Sequence, residues 1–234
     1  MYIDDYHRAS LRMLHIEYIL PIMAFWHTIT TEIRKHKQDQ GVVNNLVSAI
    51  HCAGYIVQYT INHDHNYTIH VSIGYFIYDL MYLLYALYAK KTTQQKQYII
   101  YVVHHFIGLY ILHTALTDDK NVDKFLYFYY LAELSNITMY LSYHIRKEYP
   151  TRYDMLRASE FAQLLWYSYF RVIRSSIVLY YDEFGLFQYP IAYQYSVYLL
   201  YVMGILCSWS LLKKNIANYL ALSGHKTAAA AAAD

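Results

Sequence analysis

The residues best suited to chemistry in this sequence lie inside apolar runs. His104 and His105 are adjacent in QYIIYVVHHFIGLYILHTAL, and Glu133 and Asn136 sit in KFLYFYYLAELSNITMYLSYHI. Each run has about the ~20 residues that cross a bilayer as a helix. Ionisable side chains there are costly in lipid, so they face a bundle interior and mark a functional site. A neutral imidazole can deprotonate an amine or alcohol, or accept an acyl group as an acyl-imidazole. A carboxylate within reach would fix its tautomer and stabilise the imidazolium, and Glu133 or Asp79 can fill that part. Neighbours on a helix point ~100° apart, so the two imidazoles have different tasks. His104 shares a stripe with Gln97, Tyr101 and Gly108, whereas His105 lies among Val102, Leu109 and Leu112. His104 is therefore expected to meet an acyl carbonyl as nucleophile or base. His105 is expected to position it or to bind Glu133 or Asp79. Gly108, one turn from His104, is expected to leave room for an acyl chain.

Composition places these runs in a membrane protein. Hydrophobic residues make up 57% of the 234 residues and charged ones 15%, against ~25% charged in soluble domains. A mean hydropathy of only +0.11 reflects the 31 tyrosines, whose rings are apolar and suit membrane interfaces. A net charge of +2 and the lack of a long basic run argue against a nucleic-acid partner. Cys52 and Cys207 are the only cysteines; two thiols with no Cys-x-x-Cys form neither a disulfide framework nor a metal site. The first apolar run lacks a small-residue cleavage site, so no cleaved signal is expected.

Taken in order, the apolar runs predict seven spans, at about Leu11–Thr30, Val42–Asn62, Tyr67–Ala89, Gln97–Leu116, Lys124–His144, Met155–Tyr181 and Tyr189–Leu212. Pro21 is expected to kink the first. Residues 1–41 form an N-terminal span and loop, 42–215 the main membrane domain, and 216–234 a tail. The closing KTAAAAAAD reads as a linker or cloning scar. Lys and Arg cluster after the first, third, fifth and seventh spans, while the loops near Asn62–Asn66 and Asp182–Gln188 have none. That alternation predicts cytosolic basic loops, a lumenal N-terminus and a cytosolic C-terminus.

Helical spacing sorts each span into faces. Asn44, Ser48, His51, Tyr55 and Asn62 form one stripe on the second span, and Ser72, Tyr75, Asp79 and Tyr82 one on the third. Glu133, Asn136 and Tyr140 share a face of the fifth, as do Tyr167, Arg171 and Arg174 on the sixth. At ~1.5 Å rise per residue, His51, Asp79, His104, Glu133 and Arg171 all fall roughly 10 to 20 Å from the cytosolic boundary. A bundle can gather them into a polar chamber open to the cytosol. Taken singly, His51 reads equally as a packing residue, Asp79 as a helix cap, and Arg171 as a snorkelling side chain or the ion-pair partner of Glu133. His113 and His144 lie near span ends and read as interfacial. His63, Asp64 and His65 resemble a metal cluster but fall in a short exposed loop, and no metal is expected.

Several of these runs resemble the TLC-domain family, which includes the ceramide synthases and small multipass proteins of lipid metabolism. The resemblance covers about Asn44 to Asn215 and is carried by NNLVSAIHCA, GYFIYDLMYLL, the His-His of YVVHHFIGLY, LAELSN, FRVIR and CSW, in that order. It implies an all-α transmembrane bundle of six core helices plus one N-terminal span around a long cavity. It also implies an acyl-CoA-dependent N-acyltransferase in the membrane of the endoplasmic reticulum. His104 and His105 match the family's His pair, and Glu133 and Asn136 fall where ceramide synthases carry two aspartates. The length and the Glu-x-Ser pattern look more like the small members. The expected catalytic residues are thus His104, His105, Glu133 and Asp79. The expected substrate contacts are His51, Tyr101, Gly108, Asn136, Tyr140, Arg171 and Arg174. Arg171 or the loop lysines are expected to hold the phosphates of acyl-CoA, which enters as substrate beside a lipid amine or alcohol; no cofactor is expected, and an oligomer is allowed.

The main alternative is a non-catalytic lipid-binding or membrane-organising protein built on the same chamber; the intact His pair favours the enzyme, and Asn136 the alternative. One His-His pair is too few for an iron hydroxylase, and no repeats or paired broken helices suggest a transporter. The loop charges make a direct prediction. A glycosylation acceptor placed near His63 should be modified and one near Lys91 should not; the reverse pattern would invert the topology.

Overall fold

The computed structural model describes residues 16–61, 65–89, 95–117, 122–183 and 185–231. The described residues are helical with short connections and no strand: α1 (Ile16–His36), α2 (Gln40–Ile61), α3 (His65–Ala89), α4 (Gln95–Thr117), α5 (Val122–Glu148), α6 (Tyr153–Ser168) and α7 (Ser175–Tyr180) joined by a π-helical segment (Tyr169–Arg174), a 3-10 turn (Leu186–Gln188), and α8 (Ile191–Ala231). The second to sixth expected spans agree with α2 to α7 within a few residues. The first and last do not. α1 continues through His36, past the expected end at Thr30, and α8 continues through Ala231, across the boundary expected at residue 216. Polar residues such as Lys213 and Asn215 end an apolar run but are good enough helix formers to carry the helix on. His63 and Asp64, with Lys90 and Lys91, lie outside the described residues.

The contacts set the helices in a ring. α3 packs on α4, α4 on α8, α8 on α6, α6 on α5, α5 on α2, and α2 back on α3. α1 lies outside it, against α2 and α3. Gly74 permits that close approach, since a Cβ there would come within 2.5 Å of the Ile22 side chain. Among the described residues, three stretches are long and apolar enough to cross a membrane: Tyr67–Tyr88, Tyr98–Thr117 and Ile191–Leu220. Outer side chains such as Ile99, Val103 and Phe106 on α4, and Val202, Leu206 and Trp209 on α8, are exposed. An apolar surface of that extent calls for lipid or another apolar partner.

Inside the ring, polar side chains tie the helices through backbone carbonyls. From α2, Asn45 donates to the Tyr140 carbonyl at 3.1 Å, the Cys52 thiol to that of Glu133 at 3.1 Å, and the Tyr55 hydroxyl to that of Leu126 at 2.9 Å. The acceptors recur every seven residues along antiparallel α5. From α6, the Trp166 indole donates to the Leu134 carbonyl at 2.7 Å, while Ser142 on α5 donates to the Ser159 carbonyl at 2.8 Å.

One end of the bundle is closed by charge. The buried Glu160 carboxylate takes Arg146 at 2.8 Å, Lys214 at 2.6 Å and the Asn218 amide at 3.0 Å, joining α5, α6 and α8. Lys37 meets Glu148 at 2.9 Å. Asp39 caps α2 through the backbone N–H groups of Gly41 and Val42 and takes Lys147 at 3.0 Å. The Lys147 ammonium, then the Val42 N–H, hold the Asp39 carboxyl below the usual carboxylate range. A lowered folded-state value means the carboxylate stabilises when ionised, and that contribution is lost as pH falls through it. The exposed ion pair adds little. Asp39→Ala is therefore expected to cost about 0.5–2 kcal/mol at neutral pH, the value of a lost cap. The difference from wild type should vanish in acid below the ordinary range of ~3.9. Thermal unfolding in detergent across that range measures both.

Candidate functional site

Of the expected catalytic residues, His105 and Asp79 meet where α4 faces α3, and Glu133 stands on α5. His105 is the buried member of the pair and faces α3. Its Nε2 lies 3.1 Å from Asp79 Oδ2, and its Nδ1 lies 2.8 Å from the carbonyl oxygen of Tyr101 one turn back. A carbonyl only accepts, so Nδ1 carries a proton. On its other side the ring stands against the Asp79 carboxyl group, so His105 is held between α3 and its own helix. Phe76, edge-on at 4.8 Å, seals the ring from α3.

His104 looks a different way. It is half-buried, and its ring is 5.7 Å from that of His105 and nearly perpendicular. No side chain among the described residues is hydrogen-bonded to it. It lies close enough to Arg171 to feel that charge. The two rings thus have different surroundings: His105 stands against a carboxylate, and His104 has no such partner among the described residues. Which stripe is buried differs from expectation. The face of α4 packed inward is His105, Gly108 and Leu112, whereas Tyr101 is exposed. Periodicity places residues on a face but does not say which neighbour that face meets.

Glu133 is buried on α5, beside Tyr129, Asn136 and Cys52, with Arg171 near enough to act on it. Tyr140 is half-buried, within electrostatic reach of Glu133, Tyr75 and Asp79. Arg171 leans over the Tyr167 ring at 5.9 Å, and its buried Nε has no acceptor among the described residues. It makes no ion pair with Glu133 there. Arg171 belongs to the π-helical segment, where Ser175 Oγ donates back to the Phe170 carbonyl at 2.9 Å. Single π turns occur often at functional sites. This one coincides with the FRVIR motif.

Three expected contacts stand elsewhere. Gly108 makes no room for an acyl chain, because the Phe76 ring fills that space; a Cβ there would lie 3.2 Å from it. His51 is enclosed by rings: it stacks on Tyr75 at 3.9 Å, meets Trp26 edge-on at 5.7 Å, and lies 3.4 Å from Ser72 Oγ. It is a packing residue between α2 and α3. Arg174 lies away from the histidines, with its Nε 3.1 Å from the Tyr127 hydroxyl and its amino groups 3.3 Å from the Glu183 oxygens. A step of three residues along the π segment carries it toward the far end of the bundle. Several lysines expected to meet phosphate are engaged: Lys35 with Glu32, Lys37 with Glu148, Lys147 with Asp39 and Lys214 with Glu160. Arg34 instead sits over the Tyr82 ring at 5.6 Å, above Asp79 on the same α3 face.

Sequence reading missed Cys52, Phe76 and Glu160. Cys52 and Asn45 are seven residues apart, and that spacing was the signal for a polar seam. Phe76 stands three residues before Asp79, where a helix puts it on the same side. Glu160 carries no local signal, because its partners Arg146 and Lys214 are distant in the chain.

No protein-family model, no curated protein and no solved structure matches this chain. The TLC resemblance accordingly stands on its motifs alone. The Asp79 contact gives a direct expectation. In Asp79→Asn, histidine nitrogen NMR of the labelled protein should show the His105 Nε2 resonance displaced, with His104 unmoved. Unchanged His105 nitrogens would refute the contact.

Proposed function

We propose that this protein is a membrane-embedded acyltransferase that moves a fatty-acyl group from acyl-CoA to a lipid amine or alcohol. The observation that carries the reading is the His104 imidazole, with no hydrogen-bonding side chain among the described residues, beside a His105 held 3.1 Å from Asp79. In the base route, His104 takes the proton of the acceptor N–H or O–H as that atom attacks the thioester carbonyl. The C–S bond breaks, and the proton passes to the leaving thiolate. In the covalent route, His104 attacks the thioester carbonyl first, the C–S bond breaks, and the thiolate leaves with the imidazole proton; the acceptor then attacks the acyl-imidazole and its proton returns to His104. In both, the Arg171 guanidinium offers a cation for the developing oxyanion. Burial in a low-water ring would protect an acyl intermediate from hydrolysis.

The reading places seven spans in the membrane, six in the ring and α1 outside, as the TLC resemblance implies. The Asp39–Glu160 end is assigned to the cytosol and the N-terminus to the lumen, in the endoplasmic reticulum. Acyl-CoA would approach from that end, past Arg34 and Tyr82.

The test uses purified protein in nanodiscs with acyl-CoA and a panel of lipid amines and alcohols. His104→Ala should lower the rate by roughly 10²–10⁴, the scale of a lost general base, with unfolding unchanged. If an acyl-imidazole forms, intact-mass analysis should show a fatty-acyl adduct that hydroxylamine removes and that His104→Ala lacks. His113→Ala, near the other end, should retain most activity. Full activity in His104→Ala would overturn the assignment. A second reading, a non-catalytic lipid-binding protein, is favoured by Asn136 in place of a carboxylate and by the Phe76 ring beside Gly108. Wild type that turns over no acceptor yet co-purifies with lipid would establish it.

A further inference from the structure

Phe76 reaches from α3 into the interior of the ring and meets three other helices. Its ring centroid lies 4.8 Å from that of His105 on α4, 6.1 Å from His51 on α2 and 6.3 Å from Tyr129 on α5. At Gly108, where α4 has no side chain, a Cβ would lie 3.2 Å from the Phe76 ring. The phenyl therefore fills the gap that bare backbone leaves one turn beyond the His pair.

Register gives the depth. Gly108 lies four residues beyond His104, about 6 Å along the axis at ~1.5 Å per residue. Beyond Phe76, toward the end opposite the Asp39–Glu160 rim, the interior is packed with Ile69 and Ile73 of α3, Leu112 and Leu116 of α4, and Leu126 of α5. Each is no more than 2% exposed, and all belong to one hydrophobic cluster with Phe76. Interiors at that density admit a further chain only by displacing side chains. Toward the rim stand Asp79 and then the ionic joints of Asp39 and Glu160, where an apolar chain would strip water from charge. A chain that starts at His104 and runs inward thus has about 6 Å before the phenyl stops it, room for about five carbons beyond the carbonyl. Given the acyltransferase reading, on which this rests, we propose that Phe76 is a specificity-determining residue that limits the transferred acyl group to a short chain, about six carbons in all. Its selection is steric, since each further methylene must push on a close-packed ring.

The test uses the full chain in nanodiscs with hexanoyl-, decanoyl- and palmitoyl-CoA as donors to the panel of lipid amines and alcohols. Wild type should prefer hexanoyl-CoA to decanoyl-CoA in kcat/KM by roughly tenfold or more, the scale of a methylene that does not fit. Phe76→Ala should lower that preference roughly tenfold, because the vacated space takes the longer chain. Phe76→Leu, which keeps more of the core filled, should lower it less. Adding Gly108→Leu to Phe76→Ala refills the same space and should restore the preference, which mere damage to packing would not do. Binding of the unreactive thioethers S-hexyl- and S-decyl-CoA, read by calorimetry, follows the wall without turnover. If wild type turns over no donor but the variants shift thioether binding toward the longer chain, the acyltransferase reading fails and the wall stands. If wild type uses decanoyl- or palmitoyl-CoA as well as hexanoyl-CoA, or if folded Phe76→Ala and Phe76→Leu keep the wild-type ratio in both readouts, the wall is overturned and the reaction stands. No turnover together with length-independent binding overturns both.

Discussion

A carboxylate and an imidazole within an apolar ring of helices are costly unless they meet a partner. Asp79 and His105 do so across α3 and α4, and the Tyr101 carbonyl fixes which nitrogen faces which acceptor. The residues packed around that pair hold it in register. Phe76 closes one side of the imidazole and fills the space at Gly108, so α3 and α4 pack closely where the pair lies. His104, the next residue, is turned away by the helix and keeps its ring open toward Arg171. The asymmetry between two identical side chains is the feature that chemistry can use.

That asymmetry needs a frame that does not shift. Between apolar helices there is little hydrophobic force in lipid, and polar contacts supply specificity. Here the seam between α2 and α5 uses Asn45, Cys52 and Tyr55 as donors to carbonyls already bonded within α5. A carbonyl has two lone pairs, so the helix is not broken to make the seam. At the rim, where water is near, the joints are ionic instead. Glu160 binds two cations from different helices and leaves one charge over, while Asp39 serves as cap and ion-pair partner together.

The π segment sets two arginines to different work. Arg171 stays near the histidine layer with its Nε lacking an acceptor among the described residues, and Arg174 is locked to Tyr127 and Glu183 at the far end. An arginine that is already paired organises a surface, whereas one without a carboxylate has capacity for a ligand.

By itself the sequence determined the elements, because apolar run length and breaks at charged or Pro-containing turns are local properties. It also determined that His104 and His105 must differ, since adjacent side chains diverge on any helix. Tertiary structure decided which neighbour each face meets. It gave Asp79 rather than Glu133 to His105, put Phe76 where Gly108 promised space, enclosed His51 in rings and took Arg174 out of the site. Glu160 became a joint only when Arg146 and Lys214 arrived from other helices. Such pairings join residues far apart in the chain, and helical periodicity carries no information about the rotation of one helix against another.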